Sequence, residues 1–225
     1  MTYPGSLVKK QKYTYDPADR IKEVVYSNDA TIDAFDRKVT YDYDGVGNRL
    51  SQKIEENGVT IKDLRSSYGS ENRLLAVTDQ VTGNEVARYV YDAAGNRVQK
   101  VAAEGTTFYS YDERNLLTSL LTPQTYVSYE YNGSAHRIAR TEGGIRNAYV
   151  VDPNRSVFEV IQERDSAGVI QKSYTFGLDR LWMQPTPGTV KYYLADRLGS
   201  VRQTVDANTI ILETFDYDVF GAVRE

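Results

Sequence analysis

Cysteine is absent from the 225 residues, so disulfides and thiolate metal sites are excluded and the redox compartment is left open. Histidine occurs once, as His136, which argues against a histidine metal centre or a catalytic triad. Long apolar runs are missing. Ile210-Ile211-Leu212 is typical and falls far short of the roughly 20 residues a membrane helix needs, so no membrane insertion is expected. The opening residues, Met1-Thr2-Tyr3-Pro4-Gly5, hold no charged segment leading into an apolar one, so no signal peptide is expected in this chain. A charge excess of one sign is also lacking. Lys and Arg number 27 against 31 Asp and Glu, a net charge of −4, with both signs interspersed. Neither a nucleic-acid footprint nor attraction to an anionic membrane is expected.

What is abundant is tyrosine, 19 copies against 6 Phe and 1 Trp, a composition that favours strands. The stretch Tyr89-Val90-Tyr91-Asp92-Ala93-Ala94-Gly95-Asn96-Arg97-Val98 reads as strand, tight turn, strand. Tyr89 and Tyr91, two apart, share one face of a strand. Asp92 can turn its carboxylate onto backbone N–H groups two residues on. Gly95 and Asn96 are residue types that accept positive φ.

Variants of this unit recur. Their leading tyrosines are Tyr15, Tyr43, Tyr68, Tyr91, Tyr111 and Tyr131, at steps of 28, 25, 23, 20 and 20 residues. The turn residues include Asp16, the set Asp44, Gly47, Asn48 and Arg49, then Asp112 and Arg137. Repeats of this size hold one supersecondary unit per copy, each needing neighbours to bury its apolar face. The first strand is expected over 7–15, with Lys9, Lys10 and Lys12 guarding an edge, and Asn28 to Arg37 is a polar excursion. Asn57-Gly58 marks a hairpin. Past Asp152 the spacing changes. Turns are expected at Asp165-Ser166-Ala167-Gly168 and at Asp196 to Ser200, and a last strand at Thr209 to Tyr217. No helix is expected.

Aromatic pairs such as Tyr41/Tyr43, Tyr129/Tyr131 and Phe215/Tyr217 set the faces, and the residue between them is polar in six of seven pairs. One face is therefore aromatic and the other wet. Strands about 4.8 Å apart would let successive pairs form aromatic ladders, with tyrosine hydroxyls reaching water or a polar partner. The fold class expected is all-β: antiparallel hairpin repeats in a curved, spiralling sheet. A β-propeller is the rival, since two hairpins make one blade.

The repeated Tyr-Asp-x-x-Gly-Asn-Arg-Leu/Val pattern resembles the YD repeats of the RHS family. The tail, Tyr192-Tyr193-Leu194-Ala195-Asp196-Arg197-Leu198-Gly199-Ser200-Val201-Arg202 followed by Phe215-Asp216-Tyr217-Asp218-Val219-Phe220-Gly221, looks like the opening of the RHS repeat-associated core. The resemblance covers roughly residues 10–221 and implies a YD-repeat array over 1–151 and the start of the core over 152–225, within one sheet. It implies part of a shell that encloses a toxin or builds a large secreted or surface protein. Its partners would be neighbouring RHS repeats, toxin cargo, or identical chains meeting at the C-terminal edge strand. The family's core would continue past Gly221. Two departures stand out. Asp206-Ala207-Asn208-Thr209 carries Thr where the family has Gly, so that turn is expected to be remodelled. The family's self-cleavage element is not matched, because Asp16-Pro17 and Asp152-Pro153 are followed by Ala18-Asp19 and Asn154-Arg155.

The carboxylates sit at turn starts, where geometry wants them, so a turn role is favoured over a glycosidase pair. Asp42 to Asn48 lacks the ligand spacing of a calcium loop. His136 reads as a turn residue. Arg20, Arg49, Arg73, Arg97 and Arg137 form a recurrent row that could bind anionic glycans, though pairing with turn carboxylates or stacking on tyrosine is favoured. Asn132-Gly133-Ser134 and Asn154-Arg155-Ser156 match the glycosylation pattern, a short match common by chance. No catalytic, cofactor or metal residue is expected. The alternative to a structural role is a carbohydrate- or surface-binding module using the tyrosine face and the arginine row.

Overall fold

The computed structural model describes residues 10–27, 36–154 and 158–223. The expected Leu7 to Lys9, most of the polar excursion, and Arg155-Ser156 lie outside the described residues. The chain divides into two compact units, Met1–Phe108 and Tyr109–Glu225. The change of repeat spacing at Asp152 falls inside the second.

The first unit holds β1 (Lys10–Tyr15), β2 (Ile21–Ser27), β3 (Arg37–Tyr43), β4 (Arg49–Glu56), β5 (Val59–Tyr68), β6 (Leu74–Asp79), β7 (Glu85–Tyr91) and β8 (Arg97–Ala102). Strand β9 (Gly105–Tyr111) runs across the division. The second unit continues with β10 (Leu117–Leu121), β11 (Tyr126–Tyr131), β12 (Arg137–Glu142), β13 (Ile145–Asp152) and β14 (Glu159–Arg164). It ends with β15 (Ile170–Phe176), β16 (Arg180–Pro185), β17 (Lys191–Ala195), β18 (Val201–Val205) and β19 (Ile211–Thr214). Within each unit every strand pairs antiparallel with its sequence neighbours. A propeller would break such a ladder into four-stranded blades. Neither ladder is broken, so the fold is all-β hairpin repeats.

The alternation of residue types explains the strands. In β7, Ala87 is buried and Tyr89 and Tyr91 are half-buried, while Arg88 and Val90 between them face water. Tyr26 and Tyr41 are almost fully enclosed, with Val24, Val39 and Ile54. The short helical turn at Ser70–Asn72 is one of the repeat turns, and Glu71 and Asn72 both lie at positive φ. Gly69 leads it because Leu75 packs where a side chain would begin, 3.1 Å from an added Cβ.

Two expectations change. The last strand stops at Thr214 and Tyr217 makes only an isolated bridge with Val223, because the turn beginning at Asp218 takes over the backbone there. The turn at Asp206 is not remodelled. Thr209 adopts φ 65° in the glycine slot and the turn keeps its usual bonds.

Candidate functional site

The recurring turn is a small device built around one oxygen. Counting Asp92 as first, its N–H donates to the C=O of the fifth residue, Asn96, at 2.9 Å, and the N–H of the fourth, Gly95, donates back to its C=O at 3.2 Å. The same pair of bonds closes the turns that begin at Asp16, Asp44, Asp112, Asn132, Asp165, Asp196, Asp206 and Asp218. Oδ1 of the first residue accepts the N–H groups of the third and fifth, for example Val46 and Asn48 onto Asp44 at 3.1 and 2.8 Å. The bond from the third residue follows from Asx-turn geometry. The one from the fifth was not legible in the sequence.

The fourth residue carries the positive φ: Gly47, Gly95, Gly199 and Gly221, but also Asp19, Asn115 and Ala135. At Gly95 the demand is double. Its φ is +89° and an added Cβ would lie 3.3 Å from Arg73 Nη2. Asn96 does not share that conformation, contrary to expectation. It stands fifth, and its side-chain amide donates to Asp92 Oδ2 at 3.0 Å, as Asn48 does to Asp44 at 2.8 Å. A lone pair on Oδ2 would otherwise go unused, so the residue type follows from hydrogen bonding rather than from φ.

These bonds act on the carboxylates. Backbone donation from Arg20 holds Asp16 below its ordinary value, backbone donation from Leu116 does so for Asp112, and the Asn96 amide does so for Asp92. At Asp44 and Asp196 burial pushes upward, and hydrogen bonds from Asn48 and Arg202, with backbone donors, outweigh it.

Two further regularities tie one repeat to the next. The leading tyrosine donates its hydroxyl to the carbonyl of the sixth residue of the preceding turn: Tyr43 to Ile21 at 2.8 Å, Tyr68 to Arg49 at 3.0 Å, Tyr91 to Leu74 at 2.9 Å and Tyr131 to Leu117 at 2.9 Å. The polar partner expected for the hydroxyls is thus a backbone acceptor. The seventh residue is a β-bulge, skipped in the pairing of each such hairpin: Lys22, Leu50, Leu75, Val98 and Ile138. The Leu or Val that closes the motif is therefore not a core residue, and Leu50 and Leu75 are exposed.

The arginine row resolves into two slots. Arg20 and Arg73 stand fifth and reach forward to the next turn, over Tyr43 at 4.7 Å and Tyr91 at 6.0 Å, and onto the carbonyls of Asp44 at 2.8 Å and Asp92 at 3.4 Å. Arg49, Arg97 and Arg137 stand sixth and fold over Tyr41, Tyr89 and Tyr129 of their own hairpins at 5.2–5.7 Å. Arg180, which the motif count missed, does the same over Tyr174 at 4.7 Å and also meets Tyr193 at 5.9 Å. The signal was present, since Arg180 follows the pair Tyr174/Phe176 as Arg97 follows Tyr89/Tyr91. The ladder expected of rings on rings is interleaved with guanidinium groups, each supplying cation–π attraction. Tyr217 lies under Arg202 at 5.3 Å, and Tyr15 and Tyr111 lead the turns at Asp16 and Asp112. Asp42 accepts the Ser51 hydroxyl at 2.8 Å, and His136 sits fifth in its turn with its ring stacked on Phe158 at 4.0 Å. Among the described residues no group of three or more His, Asp or Glu is placed to hold a metal ion, and no helix is long and apolar enough to cross a membrane.

The motif residues do not converge on one point. Two of them, Tyr131 and Arg137, line a cavity of about 410 Å³ in the second unit, with Tyr149, Phe158, Val160, Glu163, Tyr174 and Arg180. Glu163 is engaged there by the Tyr174 hydroxyl and by Lys172 Nζ at 3.1 Å. Burial, with the Glu163 hydrogen bond, pushes the Tyr174 hydroxyl well above the ordinary phenol range.

Carboxylate-closed turns, hairpins chained by tyrosine and arginine, and a sheet that grows strand by strand define a class, the antiparallel hairpin-repeat proteins. Residues 68–107 match the family model described as RHS Repeat, the family whose repeats the sequence resembles. The chain is similar to the tRNA3(Ser)-specific nuclease WapA of Bacillus spizizenii, at 27% identity over 187 residues, covering 81% of this chain and 7% of that protein. It is also similar to the tRNA nuclease WapA of Bacillus subtilis, at 26% identity with the same coverage. The chain thus spans about 7% of the length of these curated relatives. A Photorhabdus luminescens Tc holotoxin pore aligns over 96% of this chain and 16% of that chain, with 12% identity and a TM-score of 0.40. A TcdB2–TccC3 crystal structure aligns over 99% and 16%, with the same identity and score. At such scores the fold class rests on this chain's own strands.

Proposed function

We propose that the chain is a non-enzymatic wall segment of an RHS shell, in a protein that is secreted or held at the cell surface and encloses a toxic cargo. The supporting observation is the hydroxyl clamp from Tyr43, Tyr68, Tyr91 and Tyr131 to the turn before each. It couples each of these four repeats to the one before it, a linkage that can be repeated along a wall. We place the nuclease activity named for the Bacillus relatives outside the matched 7% of their length, because the turn carboxylates here are spent on closing their own backbones. Neighbouring repeats and cargo are the proposed partners. Strand β19, exposed along its length, is where a further repeat or a second copy would pair. A second reading, a glycan-binding module, is favoured by the aromatic cavity of the second unit.

The test uses the longest natural translation product that contains this segment. The sequence it encloses is expected to resist protease until the wall is opened by Tyr41→Asp, and RNA incubated with the isolated segment is expected to stay intact. Cargo cut equally fast in both proteins, or RNA cleavage abolished by Asp92→Asn, would overturn the reading.

A further inference from the structure

The cavity of the second unit differs from the rest of the arginine–tyrosine row in what its cations lack. Arg20 pairs with Asp16, Arg73 with Glu71 and Arg202 with Asp196. The guanidinium groups of Arg137 and Arg180 have neither an ion pair nor a hydrogen bond to any described residue. They lie only on aromatic rings, Arg137 between Tyr129 and Tyr149 at 5.2 and 5.9 Å, and Arg180 over Tyr174 and Phe176 at 4.7 and 5.4 Å. Such stacking fixes the plane of a guanidinium and leaves its N–H fork open, the arrangement that suits a carboxylate or a sulfate.

The cavity's own acid does not fill that fork. Both Glu163 oxygens are engaged, Oε1 by the Tyr174 hydroxyl and Oε2 by Lys172 Nζ. The Tyr149 hydroxyl has no hydrogen-bond partner among the described residues. The remaining walls are Tyr131, Phe158, Tyr174 and Val160, and offer largely aromatic, apolar surface. The volume, about 410 Å³, sits near the lower end of the roughly 300–1,000 Å³ usual for small-ligand sites, which suits one or two rings and not a length of polypeptide.

We infer that this cavity is a binding site for an acidic sugar, whose ring C–H face lies on the tyrosine and phenylalanine rings while its oxyanion takes the forks of Arg137 and Arg180. The hydroxyl of Tyr149 is left to a ring oxygen or hydroxyl. The inference deepens the glycan-binding reading and rests on it, and the wall reading stands whatever the outcome. It also relocates the glycan site expected from the sequence, from a row of five arginines to one cavity holding one of them and Arg180.

Titration calorimetry tests it with a glucuronate-containing disaccharide, a sulfated disaccharide, the neutral cellobiose, sodium sulfate and a short aspartate-rich peptide. Binding of an acidic disaccharide is expected, with cellobiose weaker by at least about tenfold, since each fork contact to a charged oxygen carries roughly that factor. A preference between glucuronate and the sulfate ester would identify which oxyanion the site takes. Arg137→Gln and Arg180→Gln should each weaken binding about tenfold or more, and Arg97→Gln, the equivalent position of the first unit, should leave it unchanged. Should the cavity variants fail to fold, chemical-shift mapping on the unaltered protein should place the largest changes at Tyr149, Phe158 and Tyr174. Cellobiose binding as well as glucuronate would sink the acidic assignment and keep the glycan reading. No saccharide binding at millimolar concentration would sink both. Sulfate ion or the peptide binding as tightly as the acidic disaccharide would show that the ring contributes nothing and overturn the proposal.

Discussion

The two units use the same turn and bury different things. In the first, Val24, Tyr26, Val39, Tyr41, Ile54 and Ala87 are buried and make a dry face. In the second, Val127, Ala139 and Val205 are the buried apolar residues among those described, and every residue of β14 and β15 is half-buried. Yet Oδ1 of Asp165 accepts the same two backbone N–H groups, third and fifth, as Oδ1 of Asp44. The turn is closed by its own side chain and backbone, so it does not depend on what the strands pack against. A repeat can therefore keep its backbone while its face is given over to packing in one place and to a cavity in another.

The largest effect should separate the faces. Tyr41→Ala removes an enclosed aromatic ring and should cost about 3–5 kcal/mol of unfolding free energy. Tyr149→Ala, at the cavity, should cost less than half as much. Equal shifts in denaturant midpoint would show that the second unit is as tightly packed as the first and would break the contrast.

A smaller effect tests whether the turn is the same object in both units. Gly95→Val puts a β-branched residue at φ +89° against Arg73, at a cost of about 1–3 kcal/mol. Thr209 already bears that kind of strain at φ 65°. Thr209→Gly should therefore stabilise the protein by up to about 1 kcal/mol, strain relief less the entropy glycine adds to the unfolded chain. Destabilisation by Thr209→Gly would mean its side chain contributes something the turn geometry does not explain.

Much of this was legible in the residues. Tyrosine spacing and the Asp-x-x-Gly-Asn run gave the period, the turn and the all-β class, because each depends on near neighbours in sequence. The bulge was not legible, since a skipped residue such as Leu50 is defined only by the strand it fails to pair with. The arginine slots differ by a single position, and only the partner rings tell Arg73 from Arg97. The cavity was hidden because Tyr149, Glu163 and Arg180 come from three strands and belong to no repeated motif.

The smallest effect is a pH dependence. The turn carboxylates Asp16, Asp44, Asp92, Asp112 and Asp196 are held below their unfolded value of about 3.9. Their contribution is complete above that value and is lost as pH falls through the lowered folded values. Asp92→Asn should reduce the loss of stability on going from about pH 5 to pH 2, since an amide oxygen closes the turn without titrating. The second unit already contains such a turn at Asn132, and Asn132→Asp should increase the loss. Urea midpoints at the two pH values measure both, and acid profiles identical to wild type would contradict the role given to the carboxylates.

The coupling between repeats is tested most directly by native-state hydrogen exchange on Tyr91→Phe. The substitution removes the hydroxyl that donates to Leu74 O at 2.9 Å and leaves the ring in place. Loss of protection is expected in the preceding hairpin, at the amides of β5 and β6, as well as in β7. Loss confined to β7 and the Asp92 turn would contradict the claim that the tyrosine hydroxyl holds the repeat before it.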